Sequence, residues 1–278
     1  MKKVIFVLLD GCTYNGAKEN MGFLEHLIEC NKGTKLKVKG ELPSMSRPIY
    51  ETLLTGVPVS DHLIVNNIIS RRSKEESIFS LCKENNLRTA AAAYHWVSEL
   101  YNKSPFNVME DRIQLNTDRN IENGIFYYED HYPDSHLFND GEFLRTNFNP
   151  DFLFIHSMNI DDSGHKFGSN SAEYAFSISK ADTILGLYLP KWLLDGYSVI
   201  VTSDHGMNEN KIHGGNDYIQ RYVPLYIFAN KEINMKKGDF TENEISQLKL
   251  APLICKLLGI NKSERMKDIE EFGGTIFE

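Results

Sequence analysis

Three short segments of this 278-residue chain carry acidic and imidazole side chains where they could hold metal ions. Asp10 follows the apolar run Val4–Leu9 in Leu8-Leu9-Asp10-Gly11, so a carboxylate stands at the end of a candidate buried strand. Gly11 lets the backbone turn sharply there. An isolated Asp in that place is more often a turn or a helix cap. Asp204-His205-Gly206 repeats the arrangement after Tyr197–Thr202, and His213 follows eight residues on in His213-Gly214-Gly215. The third segment is Asp161-Asp162-Ser163-Gly164-His165, close behind Phe152–Ile155. Asp161 and His165 are four apart, so one helical turn brings them to one side, while Gly164 also permits a tighter loop. Asp10, Asp161, His165, Asp204, His205 and His213 together offer six oxygen and nitrogen donors, enough for two sites of three protein ligands each. A mixed Asp/His set favours zinc or manganese over calcium or magnesium, whose ligands are almost all oxygen.

A pair of metals calls for a nucleophile. Leu42-Pro43-Ser44-Met45-Ser46-Arg47-Pro48 offers two hydroxyls. Ile49–Thr55 reads as a short helix with Pro48 in its first turn, which sets Ser46 at a helix N-terminus, where amides and dipole favour an anion such as a phosphoryl group. Without the metal donors, an ordinary Ser cap would be the preferred reading. Arg47 reads as an exposed helix-start residue.

The elements that must carry these groups alternate along the chain. Val4–Leu9, Thr89–Ala93, Phe152–Ile155, Tyr197–Thr202 and Pro224–Phe228 are short, apolar and often β-branched, as strands buried on both faces would be. Between them, Met21–Cys30, Lys74–Asn85, Ala172–Tyr188 and Ile245–Leu258 are amphipathic, with Gly259 as a helix stop. Such alternation gives an α/β fold with a mostly parallel sheet covered on both sides, and ligands sit beyond the carboxyl ends of its strands. The stretch 96–148 breaks the rhythm and reads as an insertion capping that edge. Tyr94, His95, Trp96, Tyr127 and Tyr128 could stack on a leaving group or form the cap's own small core. His26 and His156 read as packing or surface residues, His62, His95, His131 and His136 as surface histidines, and Cys12 as a buried spectator.

Composition excludes other classes. With 41% hydrophobic residues, 19 Gly and 9 Pro, the chain is neither disordered nor collagen-like. A net charge of −8 opposes nonspecific binding to nucleic acid or an anionic membrane, so an anionic substrate needs a local cation. Four scattered cysteines without a CxxC read as thiols in a reducing cytoplasm. The apolar start is too short for a signal peptide, and no run approaches the ~18 residues of a membrane span.

Asp10 after the first strand, Ser46 before a helix ending in Leu54-Thr55-Gly56, Asp161-x-x-Gly-His165, Ser203-Asp204-His205-Gly206-Met207 and His213-Gly214-Gly215 together resemble the alkaline phosphatase superfamily, in its branch of type I phosphodiesterases and nucleotide pyrophosphatases. The resemblance runs from residue 4 to about 228. It implies an alkaline-phosphatase-like three-layer α/β/α sandwich over residues 1–278, with a cap insertion at about 96–148. It assigns Asp161, His165 and His213 to one divalent metal, zinc or manganese, and Asp10, Asp204 and His205 to the other. It makes Ser46 the nucleophile that becomes phosphorylated, and Asn67 a donor to a phosphoryl oxygen, with Asn66 the alternative if the register slips. The expected substrate is a small phosphate diester or pyrophosphate, with no nucleic-acid polymer and no membrane as partner. Type I phosphodiesterases usually carry Thr where this chain has Ser46, and Ser is typical of monoesterase branches. A phosphomonoesterase or phosphonoacetate-type hydrolase is therefore the rival enzyme, and a metal-binding protein without turnover the rival from another class.

Overall fold

The protein is described from a computed structural model over residues 2–269, 276 and 277. Its strands are β1 (Lys3–Leu9), β2 (Thr34–Lys39), β3 (Thr89–Tyr94), β4 (Ile113–Gln114), β5 (Asn123–Tyr127), β6 (Phe152–Ser157), β7 (Tyr197–Thr202), β8 (Tyr222–Phe228) and β9 (Gly238–Ser246). They form one sheet in the order β4-β5-β3-β6-β1-β7-β8-β2-β9. The central block β5-β3-β6-β1-β7 is parallel throughout, and β2 is parallel to β9. β8 runs antiparallel to both β7 and β2, and β4 antiparallel to β5.

β1 shows why the sheet needs cover on both faces. Val4, Phe6 and Leu8 pack into one core with helices Ser46–Thr55, Ile78–Glu84 and Leu250–Leu258. Ile5, Val7 and Leu9 pack into another with helices Tyr14–Asn20, Gly22–Glu29, Asp134–Phe148 and Ala172–Leu194. Successive side chains of a strand alternate sides, so an unbroken apolar run serves two layers at once. Each such fully buried side chain contributes roughly 1.5–3 kcal/mol.

The stretch 96–148 is not a separate cap. β5 pairs with β3 in parallel, β4 closes that edge, and helix 134–148 sends Leu137, Phe138 and Leu144 into the second core. Its polar composition is that of the connecting loops and of a helix half exposed to solvent. The expected helix 245–258 is shorter, Leu250–Leu258, because residues 238–246 pair with β2 as a polar edge strand. Among the described residues no helix is long and apolar enough to cross a membrane.

Candidate metal centre and nucleophile

Three adjacent strands, β6, β1 and β7, deliver the donors at their carboxyl ends. Asp10 is the first residue after β1, and its backbone N–H bonds the carbonyl of Ser157 at the end of β6 at 2.9 Å. Gly11 follows at φ +72°, and a Cβ there would lie 2.8 Å from the Asp161 Cα, so the glycine lets β1 end against the next ligand. The Gly11 N–H also donates to Asp204 Oδ1 at 3.1 Å. Asp161 and His165 sit on helix Asn159–Phe167, four residues apart and 3.3 Å between Oδ2 and Nε2, so the helical alternative holds. His205 follows Asp204 beyond β7, and its Nε2 lies 3.1 Å from Asp204 Oδ2 and 3.5 Å from Asp10 Oδ1. His213 reaches back with Nε2 3.1 Å from that of His165 and 3.8 Å from Asp161 Oδ1.

All three imidazoles face inward by the same device. His205 Nδ1 lies 3.0 Å from the Gly206 carbonyl, His165 Nδ1 3.1 Å from that of Lys211, and His213 Nδ1 2.8 Å from that of Ser44. A carbonyl only accepts, so each Nδ1 carries the proton and donates it, leaving the Nε2 lone pair directed into the cluster.

Ser46 Oγ meets this cluster 3.1 Å from His205 Nε2. It does not cap its helix: the cap position falls on Met45, and Ser46 is the first helical residue. Asn67 Oδ1 accepts the Arg47 N–H at 3.0 Å beside it, which leaves the amide nitrogen of Asn67 as the end available to a ligand. Asn66 instead accepts from Ile68 within its own loop. Asp10, Asp204 and His205 are fully buried, whereas the His165 side chain is 46% exposed and marks the open side of the cluster.

The donor set fits divalent cations on two physical grounds. Asp10 Oδ1, Asp161 Oδ1 and Asp204 Oδ2 are buried without a hydrogen-bond partner, an expensive state for a carboxylate unless a cation answers it. The Nε2 atoms of His165 and His213 face each other at 3.1 Å, which needs a proton or a metal ion between them; without a metal, the hydrogen bond with Asp161 raises His165 to about 9, so that the imidazole holds a proton that a bound cation would displace. Charge points the same way. Burial, then the neighbouring carboxylates Asp204 and Asp161, pushes Asp10 well above the ordinary carboxylate range, and burial together with Asp161 pushes Asp204 up to about 7. Burial lowers His205, and burial with the adjacent His205 lowers His213 to about 4, so both stay neutral and able to ligate. Among the described residues, two groups of donor atoms lie close enough to share an ion: Asp10 with Asp204 and His205, and Asp161 with His205 and His213. The first has the composition of the triad the sequence resemblance assigns to one metal. In the second His205 stands where His165 was expected; His165 Nε2 lies 3.3 Å from Asp161 Oδ2 and 3.1 Å from His213 Nε2.

Several residues differ from their sequence-based expectations. His156, read as a packing or surface residue, is buried on β6, but it does more than pack: its Nε2 lies 3.0 Å from Asp10 Oδ2, and burial lowers it to about 3. Tyr50, one helical turn after Ser46, donates its hydroxyl to the same oxygen. Strand alternation is the signal that could have found His156, because Phe152, Phe154 and His156 share the face under the Ser46 helix. Arg47 is buried rather than exposed: its guanidinium lies 2.6 Å from Glu99 and 4.6 Å from the centre of the Trp96 ring. His62 is buried too, with Nε2 3.1 Å from Thr52 Oγ1. Tyr94 and Tyr127 belong to the second core, and Cys12 is buried, as its spectator role requires.

A mostly parallel sheet with acidic and imidazole donors beyond its central strands and a serine at a helix start marks an alkaline-phosphatase-like fold. The chain is similar in structure to murine ectonucleotide pyrophosphatase/phosphodiesterase 5, with a TM-score of 0.74 at 15% identity, covering 99% of this chain and 100% of that one. It is also similar to phosphonoacetate hydrolase from Sinorhizobium meliloti, with a TM-score of 0.56 at 20% identity over 74% of this chain and 56% of that one. In sequence it is similar to the human GPI ethanolamine phosphate transferase 3 catalytic subunit, 27% identical over 110 residues. That match takes in 40% of this chain and spans 10% of the human protein's length. Residues 4–268 match the type I phosphodiesterase / nucleotide pyrophosphatase family, and the chain belongs to it.

Proposed function

We propose that the chain hydrolyses phosphodiester or pyrophosphate bonds of small molecules with two divalent metals, zinc or manganese, through a phosphorylated Ser46. The observation that carries this reading is the convergence of three partnerless carboxylate oxygens and three inward Nε2 atoms beside one serine hydroxyl. Asp10, Asp204 and His205 would hold one ion, and Asp161, His165 and His213 the other. Bound there, divalent cations supply charge that favours the serine alkoxide and the departing oxygen.

The chain's own residues do the rest. Ser46 gives its Oγ proton to solvent and attacks phosphorus: an Oγ–P bond forms, the ester or anhydride P–O bond breaks, and the leaving group departs as an alcohol that takes a proton from solvent or as a phosphate. Asn67 donates its amide N–H to a phosphoryl oxygen, held in register by its bond from the Arg47 N–H. Water then attacks the phosphoserine, breaking the Oγ–P bond and restoring the hydroxyl. Burial of Ser46 at 3% exposure keeps bulk water from competing at the first step. The four unpaired cysteines suit a reducing compartment such as the cytoplasm.

Ser46→Ala tests the reading: it should retain both metals and lose activity by roughly three orders of magnitude or more. Equal activity would mean that water attacks directly. Rates on a diester, a monoester and phosphonoacetate, with zinc or manganese supplied, test the substrate class, and a strong monoester preference would overturn it. The similarity to the GPI ethanolamine phosphate transferase favours a second reading, in which an alcohol rather than water accepts the phosphoryl group from Ser46. Product analysis with added alcohols separates the two.

A further inference from the structure

The four histidines around the cluster are not alike. Three donate through Nδ1 to carbonyls and turn Nε2 into the cluster. His156 is inverted: the Tyr94 backbone N–H donates to its Nδ1 at 3.4 Å, so the ring proton sits on Nε2, 3.0 Å from Asp10 Oδ2. Its ring lies parallel to Phe154, with centroids 6.1 Å apart, and meets the edge of Tyr50 at 4.6 Å, so it has little freedom to turn. Its carbonyl is tied as well, accepting the Tyr127 hydroxyl at 2.7 Å.

Asp10 is consequently asymmetric. Oδ2 accepts from both the His156 Nε2–H and the Tyr50 hydroxyl, while Oδ1 has no partner and faces Asp204 and His205. A carboxylate whose one oxygen is saturated by two buried donors can offer only the other, in one orientation. Tyr50 adds a second consequence. It lies four residues after Ser46 on helix Ser46–Thr55, so Ser46 and Tyr50 share one side of that helix. The bond from Tyr50 to Asp10 therefore ties the helix that carries the nucleophile to the end of β1.

We infer that His156 and Tyr50 are positioning residues: together they hold Asp10 as a one-oxygen ligand and fix the Ser46 helix at the metal it serves. This rests on the two-metal reading, and neither residue touches the reacting atoms. The alternative is that both groups merely fill the core around a carboxylate that would ligate equally well without them.

Zinc titration of metal-free protein, by competition with a chromogenic chelator and by metal analysis after dialysis, separates these possibilities. Tyr50→Phe removes one oxygen and keeps the ring. It should weaken one of two zinc sites about 10–100-fold while leaving the other within about threefold. His156→Leu should do the same, and His156→Gln, which retains an N–H donor, should fall between it and the parent. Excess zinc should restore much of the turnover lost in Tyr50→Phe, a rescue that general loosening of the core would not give. Two zinc sites of parental affinity in folded Tyr50→Phe and His156→Leu would overturn the inference. Should His156→Leu fail to fold, Tyr50→Phe decides the matter alone. A parent protein that takes up no zinc would instead overturn the two-metal reading, and this inference with it.

Discussion

Glu51 sits in the Ser46 helix with its carboxyl fully buried. Tyr101 donates to Oε2 at 2.8 Å and the Ser73 hydroxyl to Oε1. Burial still outweighs these donors, and the carboxyl is pushed up from 4.5 to about 7. The folded chain therefore binds a proton that the unfolded chain has released between pH 4.5 and about 7, and stability must fall as pH rises through that window. At about 1.4 kcal/mol per pH unit the whole effect is roughly 3 kcal/mol. Glu51→Gln removes it while keeping the shape: its oxygen can accept from Tyr101, and its amide can donate to Ser73 Oγ, whose own proton can turn to the Glu75 carbonyl 3.3 Å away. Urea unfolding of both proteins, stripped of metal, at a series of pH values gives the difference between them, and every other titrating group cancels. The variant should gain on the parent by about 3 kcal/mol between pH 4.5 and pH 8, equivalent to about 6 °C in melting temperature. A difference that stays constant with pH would refute the reasoning.

Other perturbations have equally definite outcomes. Gly11→Ala forces a Cβ within 2.8 Å of the Asp161 backbone at a left-handed φ, so it should cost roughly 1–3 kcal/mol in thermal unfolding and reduce metal uptake together. Glu99→Ala strands Arg47, which is 2% exposed, and should cost roughly 3–5 kcal/mol in chemical denaturation; an unchanged midpoint would mean the pair is idle. Stripping metal with EDTA should abolish activity and lower the melting temperature, with zinc restoring both, because one oxygen of each of three buried carboxylates is left without a partner.

What could be read from the sequence was whatever local pattern decides. Asp10 and Asp204-His205 were legible because Asp10 closes the unbroken apolar run Val4–Leu9 and Asp204 follows, after one serine, the largely apolar Tyr197–Thr202, both of which read as doubly buried strands. β2 was not, because Thr34-Lys-Leu-Lys-Val-Lys39 looks solvated, yet Lys35 is buried and lies 2.6 Å from Glu25. β9 was missed because an edge strand can afford polar residues that mimic a loop. Arg47 and His156 escaped for a related reason: a buried charge or imidazole is tolerated only through its partner, and the partners, Glu99 and Asp10, lie 52 and 146 residues away. No window of sequence contains both halves of such a pair.

The same topology explains why donors so far apart in the chain can meet closely. β6, β1 and β7 are consecutive neighbours in the sheet, and neighbouring strands lie about 4.8 Å apart. Groups projecting just beyond their ends are thus brought within a few ångströms of one another, the order of spacing that a pair of divalent ions, about 3.5–4 Å apart, would need. Hydrogen-bonded strands fix that spacing more firmly than flexible loops could, and β1 stands at the centre because it pairs with both of the others. The segments beyond the strand ends carry the rest: His165 on helix Asn159–Phe167 at the open side, and Asn67 in the loop beside the nucleophile. Variation in substrate should accordingly fall on the loops, while any change that slips β1 against β6 or β7 by one residue would turn Asp10 to the opposite face and abolish the site.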